Sequence, residues 1–105
     1  MTTQTLGELA DIVRSKNAGA LLLTIDVMFD DQDVYARVLK SGAVSRAVVA
    51  QLYGVSENAI DIIQFDLVRA IKVTFPRATR SGDPDDGDIY GAQQHVPMLS
   101  IPIPL

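Results

Sequence analysis

One segment limits the possible folds more than any other: ALLLTIDVMF, residues 20–29. Every second residue from Leu21 to Phe29 is apolar, and this period-two series predicts a β-strand with one buried face. The opposite face is mostly apolar as well, although it carries Asp26 at its middle. A strand of this kind is typical of the centre of a sheet that is covered on both sides.

The segment before this strand has helical spacing. Thr5 and Glu8 have the spacing of a capping box, and four apolar residues recur at intervals of three or four: Leu6, Leu9, Ala10 and Val13. Gly7 weakens a helix, so residues 6–14 are predicted as either a helix or a short strand. The following SKNAG, residues 15–19, favours a turn because asparagine and glycine tolerate left-handed backbone angles.

Two helices are predicted after the strand. Asp30 and Asp31 suit the positive N-terminal end of the first helix, which ends at Ser41-Gly42. Ser45 is a predicted N-cap for the second helix, which Gly54 closes. Three residues of this second helix are expected to face inward: Val48, Val49 and Leu52.

Two further strands and a proline-rich tail complete the pattern. Residues 60–66 and 67–75 alternate as strands that are antiparallel around a turn near Asp66, and Pro76 ends the second. Three prolines in residues 96–105 remove backbone donors, so this segment is expected to be an edge strand or an extended Pro-rich C-terminal arm. The sequence predicts a single domain over residues 1–105 with a two-layer α+β fold, in which helices pack on one face of a mainly antiparallel sheet.

Composition excludes several classes of protein. The chain has no cysteine, so disulfides and thiolate chemistry are absent. Thirteen acidic and nine basic residues give a net charge of −4, which disfavours nucleic-acid binding. The first residues, MTTQTLGELADIV, lack the basic start and apolar run of a signal peptide, and no stretch is long enough to span a membrane. We expect a cytoplasmic protein.

The polar segment SGDPDDGDIYGAQQH, residues 81–95, contains the single histidine of the chain, His95. Histidine is the side chain suited to proton transfer near neutral pH, so His95 and Asp88 are the catalytic candidates. Tyr90, Gln93 and Gln94 are candidate ligand contacts. Asp83, Asp85, Asp86 and Asp88 could coordinate a hard cation, but the EF-hand spacing fails and Asp-Pro-Asp-Asp-Gly is ordinary turn chemistry. We therefore expect no metal, and no cofactor motif is present.

Basic residues mark two further places. Strand parity places Arg69 on the core face, whereas Lys72 points to the other face. Arg69 is expected to pair with Asp26, either as a structural ion pair or as part of an anion site. Arg14 and Lys16, beside the predicted SKNAG turn, could add to such a site.

Four stretches together resemble a family of small uncharacterised bacterial proteins: RSKNAG, TIDVMFDD, QFDLVRAIKVTFPR and SGDPDDGDIYGAQQH. That family is distantly similar to the carboxy-terminal domain of AtuA, the acyclic terpene utilisation protein, which is ferredoxin-like and carries RSGDKGD where this chain has RSKNAGA. The resemblance implies a two-layer α+β fold, a cytoplasmic setting, and genes near AtuA-like large proteins and carboxylate or acyl-CoA enzymes. Asn17 and Ala18 depart from the charged residues of the larger protein.

The matched motifs supply the remaining candidate ligand residues. By resemblance and by chemistry, the ligand-binding set is Arg14, Lys16, Asn17, Gly19, Arg77, Tyr90, Gln93 and Gln94. The leading hypothesis is an accessory or small subunit that helps an AtuA-like partner bind a carboxylate or acyl-CoA-type metabolite. The alternative is a stand-alone homo-oligomeric enzyme, similar to a hydratase or lyase, with its site between subunits and the C-terminal tail covering a neighbouring sheet edge.

Overall fold

The computed structural model describes residues 3–18, 22–76 and 96–104. In chain order these contain β1 (Thr3–Thr5), α1 (Leu6–Leu9), β2 (Ile12–Asn17), β3 (Leu22–Met28), α2 (Gln32–Ser41), α3 (Arg46–Tyr53), β4 (Asp61–Phe65), β5 (Ala70–Pro76) and β6 (Pro102–Pro104). Single 3-10 turns occur at Glu57–Ala59, Asp66–Val68 and Val96–Ser100. The predicted α+β class is confirmed.

Four of the strands form one antiparallel sheet in the order β2-β3-β5-β4. β3, the strand predicted from the period-two series, lies between β2 and β5 and is therefore central, as expected. β4 and β5 form the predicted hairpin, with the turn at Asp66–Val68. Strand register places Arg14, Asp26, Lys72 and Ile63 in one row across the four strands.

One face of this sheet is covered, and we call it the covered face. The residues of β3 and β5 that point to it are almost fully buried: Leu23, Ile25, Val27, Ile71, Val73 and Phe75. They share one hydrophobic core with Tyr35 and Val38 of α2, Val49 of α3, Met98 and Ile103. The alternation in the sequence thus produces a two-layer arrangement, because a single apolar face requires a single covering layer.

Local hydrogen bonds explain where the two longer helices begin and end. The Asp31 carboxylate accepts from the backbone N–H groups of Asp33 and Val34 and so caps α2. Ser45 caps α3 through Val48 N–H. Gly42 and Gly54 end the two helices with φ angles of 67° and 66°, a left-handed conformation that glycine adopts without steric cost. All four residues act as predicted, whereas Leu52 is more than one-third exposed and does not face inward as expected.

Residues 6–14 contain both of the structures that the sequence left open. The capping box forms between Thr5 and Glu8 and starts α1, a helix of only four residues, and β2 begins at Ile12. The expected turn at SKNAG is wrong for residues 15–17, which belong to β2. Gly7 packs against the 96–100 segment, where an added Cβ would lie 3.1 Å from the Leu99 Cβ.

The proline-rich tail is an edge strand and packs on its own chain. β6 pairs antiparallel with β1, with Gln4 opposite Ile103. Met98, Ile101 and Ile103 are buried in the common core. The described part of this tail therefore completes the fold of the chain that carries it, which removes the reason for expecting an arm that covers a neighbouring subunit. Among the described helices, none has the length and apolarity that crossing a membrane requires.

Candidate functional site

The face of the sheet opposite the helices is only partly covered, and we call it the open face. Strand parity and register assign these residues to it: Ile12, Arg14, Lys16, Leu22, Thr24, Asp26, Met28, Asp61, Ile63, Phe65, Ala70, Lys72, Thr74 and Pro76. Its side chains range from buried Thr24 to highly exposed Arg14. The sequence predicted a central strand covered on both sides, but Leu22, Ile12, Ile63 and Phe65 are exposed large apolar residues on this side.

An apolar row crosses the whole open face near one end. The register aligns Ile12, Met28, Ala70 and Phe65 on the four successive strands. Ile12 is 47% exposed and Phe65 45% exposed, and the neighbouring Ile63 of β4 is 48% exposed. Met28 is partly buried and Ala70 is buried, so the exposed apolar area lies at the two ends of the row, with Ile63 and Phe65 together on β4. Exposed apolar side chains that are grouped in this way are typical of a surface that contacts another molecule.

A charged row lies directly beside the apolar row. Asp26 has Arg14 as its cross-strand neighbour on β2 and Lys72 on β5. The Arg14 Nε atom lies 3.7 Å from the Asp26 Oδ2 atom, and the two side chains are 62% and 15% exposed. This is a surface ion pair, weak because water screens the arginine, with a second cation on the other side of the carboxylate.

The predicted pair between Asp26 and Arg69 is wrong. Arg69 does not belong to β5 but closes the turn before it, so the strand parity that placed it on the core face does not apply. The Arg69 Nε–H group donates to the Phe29 carbonyl oxygen at 3.0 Å. The cations of the open face are instead Arg14, Lys16 and Lys72.

A third row holds hydroxyl groups between opposite charges. Lys16, Thr24, Thr74 and Asp61 are aligned across the sheet. Among the described residues assigned to it, the open face thus combines three cations, two carboxylates and the partly exposed Thr74 hydroxyl with the apolar row, whereas the Thr24 hydroxyl is buried. This chemistry suits contact with a polar surface or an anionic group, because cations and hydroxyls both bind carboxylate oxygens.

The structure brings together only some of the predicted ligand residues. Arg14 and Lys16 lie on the open face, but Asn17 has the opposite strand parity and points to the covered side. Lys72 joins the two cations, although sequence reasoning left it out of the ligand set. Its period-two position gave the correct face, but only the register between β3 and β5 shows that it neighbours Asp26.

The other predicted site residues lie outside the described ranges. These are Gly19, Arg77, Asp88, Tyr90, Gln93, Gln94 and His95. Arg77 directly follows Pro76, which pairs with Leu22 at the sheet end where Ala18 N–H donates to the Leu22 carbonyl oxygen. The described ranges hold no group of three or more histidine, aspartate or glutamate residues placed to bind a metal ion.

The β4–β5 turn is tied to the helical layer by a buried tyrosine. The Tyr35 hydroxyl of α2 donates to the Asp66 Oδ1 atom at 2.6 Å. Burial, and then the adjacent Asp66 carboxylate, raises the pKa of Tyr35 to about 12. Burial also raises the pKa of Tyr53 to about 12, against a smaller opposing effect of a hydrogen bond with the Met98 backbone.

Comparison with known proteins places the chain in a family. The sequence profile described as a domain of unknown function, DUF4387, matches residues 6–102. The chain belongs to the DUF4387 family. The match spans every element from α1 to the start of β6, so the DUF4387 domain includes both the covered and the open face. No curated protein sequence and no solved structure matches this chain significantly.

Proposed function

We propose that this DUF4387 domain is an accessory, small subunit that docks on an AtuA-like large protein through its open face. In that complex it helps to bind a carboxylate or acyl-CoA-type metabolite during catabolism in the cytoplasm. The observation that carries the proposal is the open face itself, where an apolar row runs beside a charged row. The resemblance of four sequence stretches to proteins related to AtuA supports the choice of partner.

Docking explains the exposed apolar side chains of the open face. Ile12, Ile63 and Phe65, on the outer strands β2 and β4, remain about half exposed, although the inner strands β3 and β5 bury their covered face almost completely. Transfer of such area from water to a protein interface is favourable by roughly 25 cal/mol per Å². Arg14, Asp26 and Lys72 would then fix the orientation of the partner, because charged groups at an interface must meet complementary charges.

The proposed metabolite site uses the cations of β2. Arg14 and Lys16 are two residues apart on one strand and share the open face. Both are suited to a carboxylate or phosphate group. Gly19, Arg77, Tyr90, Gln93 and Gln94 are the further proposed ligand residues, with His95 and Asp88 as the proposed proton-transfer groups.

Co-expression with an AtuA-like large protein tests the proposal. We expect the two proteins to co-purify and a double variant, Ile63→Ser with Phe65→Ser, to bind about 10-fold more weakly or worse because two apolar contacts are lost. Leu52→Ser is the matched control, since Leu52 is an exposed apolar residue on α3 instead of the open face. Separate elution of the wild-type proteins at micromolar concentration would contradict the proposal.

The second candidate is a stand-alone homo-oligomeric enzyme with its site between subunits. One observation favours self-association: within the described residues β4 pairs only with β5, so its other edge is open, and it reads DIIQF. An open apolar edge of this kind can pair with another strand. Two copies centred on Gln64 would place Ile63 opposite Phe65 of the other copy. Light scattering of the chain alone separates the two candidate functions. A monomer at micromolar concentration would rule out an enzyme whose site lies between subunits.

A further inference from the structure

The turn between β4 and β5 presents two apolar side chains to solvent. Leu67 is 98% exposed and Val68 is 63% exposed, and we call this pair the knob. Scattered apolar residues are ordinary on protein surfaces, but the knob is not isolated. Phe65 and Ala70, which flank the turn, are the β4 and β5 members of the apolar row. The knob therefore lies next to the apolar row, just beyond the strand ends at Phe65 and Ala70.

Contacts on both sides anchor the backbone that carries the knob. Before it, the Asp66 carboxylate accepts the short hydrogen bond from Tyr35. After it, Arg69 donates through Nε to the Phe29 carbonyl oxygen and accepts at its own carbonyl from Phe29 N–H at 3.0 Å. Arg69 has φ 51° and ψ 53°, a left-handed conformation that is unfavourable for a non-glycine residue. A turn held in such a conformation from both sides is preorganised, which reduces the entropy that binding would cost.

The end of the molecule that carries the knob is acidic. Five exposed aspartates belong to the turn, to α2 or to the segments packed beside them: Asp11, Asp30, Asp31, Asp33 and Asp66. They are connected, because Asp30 N–H donates to the Asp11 carboxylate at 2.7 Å and Asp31 caps the helix that carries Tyr35. The cation of this turn is Arg69, whose Nε–H is already bound to Phe29. These acids do not form a metal site within the described part of the chain.

We propose that the knob docks into an apolar pocket on a different protein, and that lysine and arginine side chains surround that pocket. Charge selects this partner. A symmetric contact with a second copy would bring the same five aspartates against each other, and like charges at an interface are strongly unfavourable. An anionic membrane surface would repel the same acids. The inference rests on the proposed function for its probe, which is the same AtuA-like large protein.

Binding measured with matched variants tests the knob. We expect the double variant Leu67→Ser with Val68→Ser to raise the Kd for the large protein about 30-fold or more, because two exposed apolar side chains lose their pocket. Its unfolding midpoint should stay near that of the wild type, since neither side chain belongs to the core. Leu52→Ser, on α3, is the control and should leave the Kd unchanged.

A single cysteine supplies an independent readout. The chain has no cysteine of its own, so Leu67→Cys can be labelled with an environment-sensitive fluorophore at one position. Addition of the large protein should shift its emission to the blue. Asp30→Asn with Asp33→Asn, and added salt, should each slow association, because they weaken the attraction to a basic rim.

The outcomes separate the two proposals. Unchanged binding by the Leu67→Ser, Val68→Ser variant overturns the knob alone, whereas unchanged binding by the Ile63→Ser, Phe65→Ser variant overturns the open face alone. Absence of binding by the wild type overturns both. A fluorophore shift caused by phospholipid vesicles, or a knob-dependent dimer in light scattering, would assign the knob to a different occupant and also overturn the inference.

Discussion

The two faces of the four-stranded sheet come from the same strands, yet they differ in almost every property. On the covered face, Ile25, Val27 and Val73 are fully buried and pack against the helices. On the open face, the alternate residues Asp26 and Lys72 carry charge, and Ile63 is half exposed. The comparison teaches that one face is sufficient to build the described core, because the residues that β3 and β5 contribute to the hydrophobic core cluster point to a single side of the sheet. The other face is thereby free to carry binding chemistry.

The largest expected effect on stability comes from truncating an isoleucine of the covered face, and the comparison is the same truncation on the open face. Ile25→Ala should lower the free energy of unfolding by about 2–5 kcal/mol, because it leaves a cavity in the core. Ile63→Ala, on the open face, should cost less than about 1 kcal/mol. Urea titration of both variants measures the difference. Equal losses would show that the open face is a second core and not a surface.

The link between the helical layer and the hairpin turn should have an intermediate effect. Tyr35→Phe removes the hydrogen bond to the Asp66 carboxylate and should cost about 1–3 kcal/mol, the range for hydrogen bonds to charged groups. Unfolding measured near neutral pH checks the value. No loss would mean that water replaces the tyrosine hydroxyl at Asp66 without cost, and that the turn is not anchored from this side.

The raised pKa values predict alkaline unfolding. The pKa of Tyr35 and of Tyr53 is about 12 in the folded protein but about 10 in an unfolded chain. The folded state therefore holds these protons more tightly, so the contribution of the two tyrosines to stability should be fully present below about pH 10 and should be lost as the pH rises from about 10 to about 12. Denaturant titrations across this range test the prediction. Tyr35→Phe should show a smaller pH-dependent loss than the wild type.

The charged row should contribute little to stability. Asp26→Asn should cost less than about 1 kcal/mol, because its partner Arg14 is mostly exposed and the two atoms are 3.7 Å apart. Arg14→Gln should have a similar small effect. A loss of several kcal/mol for Asp26→Asn would show that Asp26 is paired as a buried charge, which is what the sequence-based pairing with Arg69 implied.

The smallest expected effect concerns the left-handed residue beside the knob. Arg69→Ala and Arg69→Gly both lose the hydrogen bond that the Arg69 side chain donates to the Phe29 carbonyl oxygen. Only glycine adopts the observed φ of 51° without strain. The glycine variant should be more stable than the alanine variant by roughly 0.5–1 kcal/mol. Equal stabilities of the glycine and alanine variants would mean that the turn adopts an unstrained conformation once the arginine side chain is removed.

The sequence predicted the covered face well because burial acts on a regular spacing. The period-two residues of β3, the N-cap Ser45 and the position of Asp31 at the N-terminal end of α2 were predicted correctly, since each follows from local chemistry that the chain itself contains. The prediction that Leu52 faces inward was wrong because a short helix buries only part of its apolar stripe. The turn predicted at residues 15–17 was wrong because strand pairing with β3 overcame their local preference for a turn.

The open face could be predicted only in part, because its composition depends on which strands are neighbours. Strand parity put Lys72 on the correct side, but nothing in the sequence gives the register that sets it beside Asp26. Arg69 was misplaced because the hairpin turn continues through Arg69, and the second strand starts at Ala70, three residues after its predicted start at residue 67. The knob showed no signal at all, since Leu67 and Val68 look like ordinary strand residues in LVRAIKVTF.

Pairing between β1 and β6 has a consequence for how the protein is made. Gln4 meets Ile103, and Met98, Ile101 and Ile103 fill the same core as Leu6. A ribosome releases residues in order, so the core lacks these side chains until residues 98–103 have left the exit tunnel. Pairing β1 with β6 closes a loop of nearly one hundred residues, which is slow compared with forming the hairpins. Until β6 has emerged, the nascent chain exposes the apolar surfaces of its strands, and we expect a chaperone that shields β3 during this time to raise the yield of folded protein.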